Sequence, residues 1–103
     1  REHNELYLEA ELLRLCGEIY ACRPDANAAA AEECFREAID LARSRNAKSW
    51  ELKALTSLCR FKNRDQRDDE SLRELRQCYQ WFTEGFDTKD LVAAKKLLEQ
   101  FGT

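Results

Sequence analysis

A spacing written twice constrains this chain more than any other feature. Leu13, Cys16, Gly17 and Tyr20 are followed by Ala31, Phe35 and Ala38. Ala54, Ser57, Leu58 and Phe61 are followed by Ser71, Leu75 and Cys78. Small, medium and aromatic residues recur at matching intervals, each set with helical period. The duplication predicts two helical hairpins that bury themselves against each other. Stacked helix pairs of this kind bind partners rather than transform substrates.

The composition agrees with long helices. The 103 residues suit one small domain, and 3 Gly with 1 Pro are too few for many short strands. Charged residues make up 36% and apolar ones 44%, as amphipathic helices around a thin core require. A net charge of −3 gives no global attraction to nucleic acid or to an anionic membrane. No apolar run reaches the ~18 residues of a membrane span, and no signal peptide is expected. The chain begins at Arg1 and has no Met, so it is expected to be a fragment from the C-terminal end of a larger protein.

The periodicity predicts five helices, over 4–22, 28–45, 48–62, 69–83 and 89–100. The first carries two apolar stripes, Leu6, Ala10, Leu13, Gly17, Tyr20 and Leu8, Leu12, Leu15, Ile19, and is therefore expected to be covered on two sides. Gly17 costs about 1 kcal/mol of helix propensity against Ala, which a close helix crossing would explain. Pro24 stops the first helix, and Asp25 or Asn27 caps the second. The second buries Ala31, Cys34, Phe35, Ala38, Leu41 and Ala42, with Glu32 and Arg36 as an attractive pair on its polar side. The third buries Trp50, Leu52, Leu55, Leu58, Cys59 and Phe61. Asn63 to Arg67 form a polar turn, and Asp68 caps the fourth helix, whose stripe is Leu72, Leu75, Cys78, Tyr79 and Phe82. Gly85 terminates it, Thr88 caps the fifth, and Leu91, Ala94, Leu97, Leu98 and Phe101 face the core.

Leu13, Gly17, Tyr20, Ala31, Phe35 and Ala38 resemble the tetratricopeptide packing signature. The second copy is degenerate, with Leu58 in the glycine place and Ser71 and Leu75 for Ala and Phe. The resemblance implies an all-α fold: two antiparallel helical hairpins and a C-terminal capping helix in a right-handed superhelical stack. Glu9–Glu18, Ala31–Ile39, Trp50–Leu58 and Tyr79–Leu91 also resemble a narrower bacterial family. It is the C-terminal tetratricopeptide-like tail of multidomain signalling proteins. There a class III adenylate or guanylate cyclase, or a winged-helix DNA-binding domain, precedes an AAA-like ATPase and a helical repeat array. The stretch from Trp81 to Thr88 is the most specific part. The chain departs from that family in having Lys89 where a Pro is usual and no Gly near Gln66.

The resemblance implies a non-catalytic protein–protein interaction module, cytoplasmic, that regulates a cyclase or ATPase in the same polypeptide. The alternatives are a self-association module, giving a homodimer, and the repeat tail of a winged-helix regulator. The first and third helices would line a groove for a peptide or another domain, with Glu9, Glu18, Lys53 and Arg60 as its polar candidates. Trp50, Trp81 and Phe86 read first as gap-fillers between helices, and Trp81 also as an interface anchor. The basic set Arg60, Lys62, Arg64, Arg67, Arg73 and Arg76 is interleaved with acids and reads as a solvated turn, not a nucleic-acid face.

No catalytic residue, cofactor or metal site is expected. There is no phosphate-binding glycine loop, and Asp68-Asp69-Glu70 reads as a cap with favourable first-turn charge. The only His is His3, and the 5 cysteines form no Cys-x-x-Cys pair. They are expected as reduced thiols, buried apart from Cys22, with a Cys16–Cys34 disulfide as the alternative for that pair.

Overall fold

The computed structural model describes residues 2–23, 28–64, 66–83 and 88–101, with side chains from Leu8 onward. All regular structure among them is helical: α1 (Glu2–Cys22), α2 (Ala28–Ser44), α3 (Lys48–Lys62), α4 (Asp69–Trp81) and α5 (Lys89–Phe101). Pro24, Asp25, Asn27, Gly85 and Phe86, to which the sequence assigns turn, capping and packing roles, lie outside the described residues.

Ion pairs between elements give the helix directions. Arg43 at the end of α2 meets Glu51 at the start of α3 at 2.9 Å, and Lys62 at the end of α3 meets Glu32 at the start of α2 at 3.2 Å. These two helices therefore run antiparallel. Glu32 meets Lys62 and Arg36 meets Glu74 of α4 at 2.7 Å, while the charge of Glu32 still acts on Arg36 in the expected attractive sense.

Neighbouring α1 and α3 run parallel. Lys53 Nζ meets Glu11, Arg14 donates to Ser57 Oγ, and Arg64 donates to the carbonyl of Ala21. Each contact joins residues 42 or 43 apart, close to the 41-residue spacing of the sequence repeat. α2 packs on both α1 and α3, α4 packs on both α3 and α5, and α3 also touches α5. The molecule measures 36 × 34 × 20 Å, so its short dimension equals about two helix diameters of ~10 Å.

Phe35 sits where α1, α2 and α3 meet and is fully buried. Gly17 lies against its ring, and the Phe61 ring is 5.9 Å away. Ala31, Ala38, Ile39, Leu52, Ala54, Leu55, Leu58, Leu72, Leu75, Leu91, Ala94 and Leu97 continue this core across all the later helices.

Local chemistry fixes the turns. Asn46 has φ 56°, and the amides of Asn46 and Ala47 donate to the carbonyls of Arg43 and Ala42. That is a Schellman closure with Asn in the left-handed place. Asp68 caps α4 by accepting from the Ser71 amide at 3.0 Å. Asn63, expected in a solvated turn, is instead 3% exposed. Its Nδ2 donates to the Cys59 carbonyl and to Ser71 Oγ, and its Oδ1 accepts from the Asp68 amide at 2.7 Å. A buried amide is tolerated because every polar atom finds a partner.

The second stripe of α1 departs from expectation. Leu8, Leu12, Leu15 and Ile19 are 62%, 53%, 41% and 62% exposed. One side of α1 is covered by α2 and α3, and nothing among the described residues covers the other. Tyr20 of the repeat signature and Cys16 are exposed as well. Cys59 and Cys78 are buried, Cys34 is half-buried, Cys22 is exposed as expected, and none of these thiols forms a disulfide.

Candidate functional site: the cleft between α1, α3 and α5

The α1–α3 contact is polar, and that polarity shapes a cleft of about 310 Å³. It is lined by Arg14 of α1, Lys53, Thr56, Ser57 and Arg60 of α3, and Lys89, Asp90 and Ala93 of α5. On α3 the spacing 53, 56, 57, 60 puts all four side chains on one helix face. The N-terminus of α5 adds its first turn from the side.

Arg14 organises the cleft. Its guanidinium holds Glu11 in a two-bond fork, 3.1 Å from Nε and 2.7 Å from Nη2. Nη1 reaches Glu18 at 3.4 Å and Ser57 Oγ at 3.2 Å. The bond to Arg14 holds the Glu11 carboxyl below its usual range, against the opposing effect of partial burial. The bond to Glu11 likewise raises the pKa of Arg14, with Glu18 and Asp90 adding their charge. Lys53 approaches Glu11 at 3.5 Å and lies 4.8 Å over the Trp50 ring. Thr56 spends its hydroxyl proton on the Leu52 carbonyl. Arg60 forms no ion pair with another described residue.

Four cations and one carboxylate therefore line the cleft; Glu11 and Glu18 neutralise Arg14, Glu11 also pairs with Lys53, and Arg60 and Lys89 supply the rest of the positive charge. Chemically this is a place for an anionic group. Ser57 already accepts a bond from Arg14, and the cleft holds no His or Cys to activate a nucleophile.

Of the residues singled out from sequence, Lys53 and Arg60 lie in the cleft. Glu18 stands at its edge, held by Arg14. Glu9 is exposed on α1 and is not part of the cleft lining. Trp81 is 59% exposed, stacked edge-on to Phe82 at 5.2 Å with Lys48 5.8 Å from its ring, away from the cleft lining. Arg14, Thr56, Ser57, Lys89, Asp90 and Ala93 are the lining residues that sequence reasoning missed. The polar face of α3 was available as a signal, whereas Arg14 is hidden in an apolar window.

Three more of the basic set have structural partners. Lys62 pairs with Glu32, Arg67 with Asp69 at 2.6 Å, and Arg64 caps α1 through the Ala21 carbonyl while covering Phe61. Among the described residues no group of three or more His, Cys, Asp or Glu is placed to hold a metal. No helix among them is long and apolar enough to cross a membrane.

No protein-family model, curated protein or solved structure matches this chain.

Proposed function

We propose that the chain is a tetratricopeptide-like, non-catalytic interaction module whose α1–α3–α5 cleft takes an acidic segment of a protein. The carrying observation is the cleft itself: four cations on the side where three helices meet, with a single lining carboxylate. The parallel α1 and α3, offset by nearly the sequence repeat, support the finer reading as two stacked hairpins closed by α5. The Gly17–Phe35 contact supports it too, because the tetratricopeptide signature pairs a small residue with an aromatic at that crossing.

The acidic segment belongs to a partner or to another domain of a signalling polypeptide, a cyclase or ATPase in the reading drawn from Tyr79–Leu91. The free thiols are in keeping with a cytoplasmic setting.

Fluorescence anisotropy with an Asp/Glu-rich peptide, a scrambled neutral peptide and a Lys-rich peptide tests this. The acidic peptide is expected to bind with an affinity that falls as salt rises, and Arg60→Glu together with Lys53→Glu is expected to weaken it about 10-fold or more, in line with the loss of two charge-assisted contacts. Equal binding of all three peptides, or indifference to the two reversals, overturns the reading.

A further inference from the structure

The exposed stripe of α1 has a stricter pattern than a loose apolar face. Leu8, Leu12, Leu15, Ile19 and Cys22 are separated by 4, 3, 4 and 3 residues. That is the a/d alternation of a coiled-coil seam, with Leu12 and Ile19 at a and Leu8, Leu15 and Cys22 at d. It extends about 21 Å along a helix that is already folded against α2 and α3. The fold does not require it. One repeat later, α3 carries Ser49, Lys53, Thr56 and Arg60 in place of the four large residues. Leu15, Ile19 and Cys22 also line an open apolar hollow, with Glu18 and Arg23 at its rim.

We propose that this stripe is the interface of a parallel homodimer in which α1 pairs with α1 of a second copy. Three observations select a second copy in that orientation. The seam is self-complementary, since in parallel register each of its residues meets its own counterpart. Leu at d with a β-branched residue at one a position favours two strands. The flanking charges then decide direction. In the parallel pair Glu18, at g, faces the partner's Arg23, at e, on both sides of the seam. In the antiparallel register that matches all four large side chains, Leu8 faces the partner's Ile19 and Leu12 the partner's Leu15. There Glu11 is brought against the partner's Glu18, and neither carboxylate gains a cation beyond those of its own subunit. The acidic-segment cleft lies on the α3 and α5 side of α1, so both surfaces are usable at once.

Sedimentation velocity on the 103-residue chain across a dilution series, with helical circular dichroism as the folding control, tests the proposal. The expected result is a concentration-dependent dimer that Leu15→Glu converts to monomer without loss of helix content, because Leu15 is at the surface. Mild oxidation with diamide gives a second readout. A d-position thiol faces its twin across a parallel seam, whereas Cys16, at e, is splayed away from its own. A disulfide-linked dimer is therefore expected from the wild type and from Cys16→Ser, and not from Cys22→Ser. A wild type that stays monomeric at every concentration overturns the proposal and leaves the stripe to a helix of another segment or protein. A dimer indifferent to Leu15→Glu, or cross-linking through Cys16 alone, overturns it as well.

Discussion

A Cβ built on Gly17 would lie 2.6 Å from Cε1 of Phe35. The ring cannot retreat, because Phe35 is fully buried and Phe61 stands behind it. Gly17→Ala is therefore expected to destabilise the chain even though Ala gains about 1 kcal/mol of helix propensity. Overpacking costs about 1–3 kcal/mol, which at a contact this close outweighs that gain. A thermal melt should show a fall of several degrees, with partial recovery when Phe35→Leu is added. A rise in melting temperature for Gly17→Ala alone would show that the crossing is looser than described. Phe35→Ala, which empties the same junction, should cost about 3–5 kcal/mol.

Asn63 carries the α3–α4 turn. Removing its amide in Asn63→Ala leaves the Asp68 amide without its 2.7 Å acceptor and takes the Nδ2 donor from Ser71 Oγ, in a site shielded from water. Urea denaturation should register a loss of about 1–3 kcal/mol. Asn63→Asp should be at least as damaging, since a carboxylate would face the Cys59 carbonyl. If either variant matches the wild type, water replaces the amide and the turn is not held as described.

The cap at Asp68 makes stability depend on acid. Partial burial would raise its pKa, but the hydroxyl and amide of Ser71 outweigh that and hold it below the ordinary value. A depressed folded pKa means that the contribution is fully present above the unfolded value of about 3.9 and is lost as pH falls through the folded one. At neutral pH Asp68→Ala should cost about 1 kcal/mol, as lost N-caps do. The gap between variant and wild type in denaturant midpoint should then narrow below the unfolded value. A gap that is constant down to strong acid would mean that the carboxylate is not the capping group.

The thiols should divide by burial. Cys16 and Cys22 are exposed and should react with a thiol reagent in the native protein, with Cys34 slower. Burial raises the pKa of Cys59, and burial, with the charge of Glu51 adding to it, pushes the Cys78 thiol up to about 12. Neither presents a useful thiolate at neutral pH. Both should label only on unfolding, which mass spectrometry of the labelled peptides will show. Rapid labelling of Cys78 in the folded state would place the C-terminal end of α4 outside the core.

The size pattern Gly17, Phe35, Ala38 was legible because close packing leaves a steric imprint on sequence: a residue without a side chain opposite a large one. Lys53 and Arg60 were legible for a similar reason, since charged residues seven apart on a helix share a face. Arg14 was not, because its neighbours Leu12, Leu13 and Leu15 make the window read as core. Its role appears only when Ser57, 43 residues on, is set beside it. Leu8, Leu12, Leu15 and Ile19 misled in the opposite sense. Periodicity reports that a face is apolar but not whether anything in the same chain covers it. Asn63 was hidden by composition, because a polar turn reads as solvated until Ser71 and Cys59 close over it.

One consequence of the arrangement concerns how the molecule comes apart. α3 touches every other helix, and from Glu51 to Cys59 only Lys53 is not buried. Linear repeat arrays can lose an end unit and keep the rest. Here each end leans on the same central rod, most of whose length is buried. Opening either end exposes α3, so local fraying gives way early to a single cooperative transition. The slowest-exchanging amides of the protein should therefore lie together in the middle of α3, and all should exchange at the rate set by global unfolding.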